Sequence, residues 1–115
     1  MIPFHFQPPP LHAPGREILL PVGLAAKSDV LAFLAKAIPL PAYFGHNWDA
    51  LDECLGDLDP GAKIVLVHPD VPMVHAPADQ HLYLQVLADA CRNSSQLIVV
   101  FPEACRRQIA RLLQS

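Results

Sequence analysis

Residues 63–68 read Lys63-Ile64-Val65-Leu66-Val67-His68, and the four central side chains are branched and apolar without a polar face. A strand covered on one side alternates polar with apolar residues. One that is apolar on both sides is buried on both, as in a parallel sheet clothed by helices. Gln96-Leu97-Ile98-Val99-Val100-Phe101 has the same character. Between the two runs, Tyr83, Val86, Leu87, Ala90 and Cys91 recur at helical spacing, which predicts a helix over residues 78–92. Strand, helix and strand in that order form a crossover unit joining parallel neighbours.

The pattern extends outward from this unit. Glu17 to Leu20 is a short apolar run stopped by Pro21 and predicts another strand. Ser28 is the expected N-cap of a first helix, with Asp29 in its first turn and Val30, Leu31, Leu34 and Ile38 as its apolar stripe. Pro39 and Pro41 end it. Asn47 is the expected cap of a second helix, where Trp48, Leu51, Leu55 and Leu58 fall within an arc of about 80° and face inward. Asp59-Pro60-Gly61 is a turn, and residues 69–77, with three prolines, form a loop. A last short helix starts at Pro102 or Glu103, with Ile109, Leu112 and Leu113 on its apolar side.

These elements predict an α/β fold, a small three-stranded parallel sheet with three to four packed helices. The expected division is a Pro-rich N-terminal arm over residues 1–15, a folded domain over 16–101 and a C-terminal helical extension over 102–115. The arm holds Pro3, Pro8, Pro9, Pro10 and Pro14, each with fixed φ and no amide donor, so it is expected to be extended or loosely ordered.

Composition narrows the function. The chain has 115 residues, 52% hydrophobic and 17% charged, which excludes a disordered chain and suits one domain with its own core. Eight Lys plus Arg are too few, and too concentrated at Arg106, Arg107 and Arg111, to grip a phosphate backbone, so no direct nucleic-acid partner is expected. No apolar segment is long enough to span a bilayer, and the N-terminus lacks the pattern of a secretory signal. Cys54, Cys91 and Cys105 are odd in number and lack metal-like spacing, so reduced thiols and a cytoplasmic location are expected.

The charge distribution is more telling than the net charge of −3. From residue 49 to 59 there are five acids, Asp49, Asp52, Glu53, Asp57 and Asp59, and no Lys or Arg. Asp49, Glu53 and Asp57 follow i, i+4, i+8 and repel one another along one helix face. A solvated face needs only interspersed charges. Unpaired acids beside the aromatic residues Tyr43 and Phe44 have the composition of an interface for something basic. Catalysis by Asp49 and Glu53 as acid and base is disfavoured, because an exposed helix face has no cleft to raise a carboxyl pKa. Cys54 among carboxylates is a poor nucleophile. The six histidines show no ligand-pair spacing, so no metal or cofactor is expected, and His68, His75 and His81 are expected at the surface or in loops.

Tyr43-Phe44-Gly45-His46-Asn47-Trp48-Asp49-Ala50-Leu51, followed by Cys54-Leu55, resembles the barstar family of intracellular ribonuclease inhibitors. Weaker likeness continues through Leu84-Gln85-Val86-Leu87 and Leu97-Ile98-Val99-Val100. The resemblance implies a protein that is no enzyme and that plugs the active site of a basic ribonuclease or nuclease toxin. By position it implies Tyr43, Asn47, Asp49 and Glu53 as contacts, Phe44 and Gly45 as shapers of the loop, and Asp89 as an acid on the third helix. Within the second helix two positions depart from the family pattern, Glu53 standing for an aspartate and Asp52 for an aromatic residue. On the third helix Asp89 matches a family acid but the next acidic position falls on Asn93, so the acidic centre shifts toward the second helix. Those departures motivate an alternative, a barstar-fold interaction module without a nuclease partner.

Overall fold

A computed structural model describes residues 2–6, 15–38, 47–58, 61, 63–94 and 96–114. The elements are β1 (His5–Phe6), β2 (Arg16–Leu19), α1 (Lys27–Ala37), α2 (Trp48–Gly56), β3 (Ile64–Val67), α3 (Pro77–Asn93), β4 (Leu97–Phe101), a 3-10 turn (Glu103–Cys105) and α4 (Arg106–Gln114). The sheet is parallel throughout, in the order β1-β4-β3-β2. In register, Ile64 faces Leu97 on one side and Arg16 on the other.

The α/β architecture is the expected one, and the sheet gains a fourth strand. Residues 5 and 6, assigned from sequence to the Pro-rich arm, pair with Val100 and Phe101. Phe4 is buried and lies 5.3 Å from Phe101 between ring centroids. The rest of that arm, residues 7–14, lies outside the described residues. At the other terminus Ile109 of α4 is fully buried, and His81 Nδ1–H on α3 donates to the Leu112 carbonyl at 2.7 Å. Arg106 stacks over the Phe6 ring at 4.6 Å and forms an exposed two-point ion pair with Glu103. Both termini therefore pack on the domain.

Alternation along the strands sorts the core. Ile64 and Leu66 of β3, with Leu97, Val99 and Phe101 of β4, join the main cluster built with α1, α2 and α3. Val65, Val67 and Val100 form a smaller cluster with Ile98 on the opposite face. Strand β2 leaves a glycine, Gly15 at φ +131°, where a Cβ would come within 3.0 Å of the Lys63 side chain and 3.1 Å of its carbonyl. Only glycine tolerates both the angle and the approach.

Caps account for the helix limits. Helix α1 begins at Lys27, one residue before the expected cap Ser28. Ala26 is its N-cap and has no acceptor, and Asp29 Oδ2 reaches back to the Ala26 N–H at 3.1 Å. Helix α2 has the expected cap, with Asn47 Oδ1 accepting from the Ala50 N–H at 2.7 Å. Asn47→Ala should cost about 1 kcal/mol of stability, while Asn47→Asp retains most of it; urea unfolding of the two variants measures this. Pro77 opens α3 at a position where a missing N–H costs nothing.

Candidate functional site

Helix α2 has two unlike sides. Trp48, Leu51 and Leu55 are buried, with Leu51 and Leu55 wholly so, while Asp49, Asp52, Glu53 and Asp57 are exposed. Among the described residues none of these four acids pairs with a Lys or Arg. Asp49, in the first turn, meets the positive end of the helix favourably. Asp57, at the C-cap, meets the negative end, and the last turn carries no basic residue to offset it. Local helix stability does not explain this arrangement of charge.

Of the residues singled out from sequence, Asn47, Asp49, Asp52 and Glu53 stand together on the opening turns of α2. Tyr43, Phe44 and Gly45 lie outside the described residues. Asp89 is exposed on α3 and lies 3.6 Å from Arg92 Nη1 in a surface ion pair. A different α3 acid, Asp79, reaches α2; it lies ten residues earlier and about 15 Å back along the helix axis. Its Oδ1 accepts from the Trp48 indole N–H at 3.1 Å.

Beneath that contact is a buried polar chain. The Trp48 and Tyr83 rings sit 5.7 Å apart, and the Tyr83 hydroxyl lies 2.6 Å from His68 Nε2. His68 Nδ1 is 3.1 Å from the Val100 carbonyl, which only accepts. Nδ1 therefore carries the proton, and Nε2 accepts from Tyr83. His68 also stacks on Phe101 at 4.1 Å. The expectation of a surface or loop position for His68 is thus corrected, since the residue is 2% exposed. Burial lowers its pKa to about 4, against the raising effect of hydrogen bonds to Val100 and Leu66. Burial likewise pushes the Tyr83 hydroxyl up, so it stays a donor.

The cysteines are free and unsuited to nucleophilic chemistry. Burial, then the charges of Glu53 and Asp57, raise the Cys54 thiol. Burial pushes Cys91 up to about 11 and is the main cause of the rise at Cys105. Among the described residues no three His, Cys, Asp or Glu side chains converge as a metal set, and no helix is long and apolar enough to cross a membrane.

The family model Barstar, described as barstar (barnase inhibitor), matches residues 22–105, well over half of the chain. The chain belongs to the barstar family. The match runs from the loop after β2 into the 3-10 turn, so it takes in α1, α2, α3, β3 and β4. Barstar-family proteins are inhibitors and not enzymes. Comparison with curated proteins and with solved structures found no match.

Proposed function

We propose that this barstar-family chain is a cytoplasmic inhibitor that blocks the active site of a basic ribonuclease or nuclease toxin. The observation that carries the reading is the exposed acidic face of α2, free of cationic partners among the described residues and backed by a buried apolar side. A ribonuclease site gathers Arg, Lys and His groups around RNA phosphate. Asp49 and Glu53 would stand where phosphate oxygens go and accept charge-assisted hydrogen bonds from those groups. Asn47 would fix the start of the helix, and Tyr43, Phe44 and Gly45 would form the loop edge of the contact. Asp52 and Asp89 would add to the negative field around it.

Binding of that kind has a kinetic signature. Long-range attraction between an acidic helix face and a cationic cleft raises the association rate, and salt screens it. Stopped-flow mixing with a basic ribonuclease should give an association rate that falls several-fold between about 0.02 and 0.5 M salt, with little change in dissociation. An association rate independent of salt would contradict the reading. If wild-type protein captures no basic nuclease from its host, the alternative of an interaction module without a nuclease partner takes over.

A further inference from the structure

We propose that Asp79 is a positioning residue for α2, holding the Trp48 indole so that the acidic face points in one fixed direction. Helix α2 has nine residues, too few to persist as a helix on its own, so tertiary contacts must set its orientation. Leu51 and Leu55 supply burial, but apolar contact is non-directional and tolerates rotation about the helix axis. The Trp48 Nε1–H to Asp79 Oδ1 bond is directional, and it crosses from α2 to α3 over 31 positions of sequence.

The indole is held from a second side as well. Its neighbour Tyr83 is anchored by His68, and His68 by the Val100 carbonyl of β4. Trp48 thus sits between an acceptor on α3 and a buried chain running down to the sheet. Asp49 is the next residue, and Asp52 and Glu53 lie one turn on. A rotation of α2 that draws the indole away from Asp79 therefore swings all three carboxylates. The consequence for binding rests on the inhibitor reading; the orientation itself does not.

Trp48 is the sole tryptophan of the chain, so indole fluorescence reports the surroundings of this one residue. The test measures amide hydrogen exchange in three variants, and the indole emission in the two that retain Trp48. Asp79→Ala removes the acceptor. Asp79→Asn keeps an oxygen acceptor while removing the charge from the first turn of α3. Trp48→Phe keeps a ring and removes the N–H. Asp79→Ala and Trp48→Phe should each speed exchange of the α2 amides about ten-fold more than that of the α3 core amides. The double variant should be no worse than either single one. Asp79→Asn should stay within about two-fold of wild type and keep the wild-type emission.

An equal rise in exchange throughout the chain, or no rescue by Asp79→Asn, would overturn the proposal, because Asp79 would then act only on overall stability or through its charge. Where wild-type protein binds a basic ribonuclease, Asp79→Ala should weaken that binding about ten-fold and Asp79→Asn should not. Unchanged affinity in Asp79→Ala would also overturn it. If wild-type protein binds no nuclease, the inhibitor reading fails, and the exchange data alone decide whether Asp79 holds α2.

Discussion

Glu53→Ala and Asp49→Ala should each weaken binding to a cognate basic ribonuclease by about 2–5 kcal/mol, chiefly through faster dissociation. The magnitude follows from what is left behind. In the proposed complex each carboxylate would be desolvated against guanidinium or ammonium groups, and truncation would strand those cations without partners. For Glu53 the effect on the free protein has the opposite sign. Both acids are exposed, neither has a cationic partner among the described residues, and Glu53 stands one turn from Asp49 and from Asp57. Removing Glu53 relieves like-charge repulsion, so the variant should unfold at the same or a slightly higher urea concentration. Weaker binding together with undiminished stability separates an interface residue from a structural one. Glu53→Gln keeps the shape and isolates the charge. Asp59→Ala, beyond α2, should change little. Equal affinities in surface plasmon resonance across these variants would remove α2 from the interface.

The same physics explains what the sequence disclosed. Strands β3 and β4 were legible because four or five consecutive branched apolar residues have few other uses in a short segment. Helix α2 was legible because its cap, its apolar arc and its acids all have local causes. Strand β1 was not, because two residues carry no period and the surrounding prolines point to an arm. Only pairing with Val100 and Phe101 makes it a strand. The α1 cap was misplaced by two residues, since Asp29 serves from inside the helix and Ala26 shows no capping chemistry of its own.

The site was legible only in part, for a related reason. Exposed charges declare themselves in the sequence because nothing needs to complement them within the chain. The Trp48–Asp79 bond joins residues 31 apart, and an acid after Pro77 has a sufficient local explanation in the positive end of α3. His68 did carry a signal. Continuing the alternation from Ile64 and Leu66 puts it on the core face of β3, the face of the main cluster. A titratable ring at the end of a doubly buried strand is more informative than its distance from other histidines.

Acid should therefore destabilise this protein earlier than carboxylate titration would. His68 is neutral and enclosed in the fold, with a pKa lowered by burial from 6.5 to about 4. In the unfolded chain it takes up a proton at its ordinary value. Between pH 6.5 and 4 the unfolded state thus binds one more proton than the folded state, and stability rises with pH across that window. The contribution is complete above pH 6.5, declines as pH falls, and is exhausted near pH 4, for a total loss of about 3 kcal/mol. Urea unfolding from pH 7 to 4 should show a slope approaching about 1.4 kcal/mol per pH unit in mid-window. His68→Phe should flatten that slope even though it lowers stability at pH 7 by leaving the Tyr83 hydroxyl without its partner; the Val100 carbonyl keeps the backbone N–H of residue 68. Hydrogen-bond geometry alone would not impose the loss, since the Tyr83 hydroxyl can rotate to accept from a protonated Nε2. The cost lies in burying the imidazolium between Phe101 and Tyr83 with no carboxylate paired to it among the described residues. A wild-type slope matched by His68→Phe would assign the acid sensitivity to other groups.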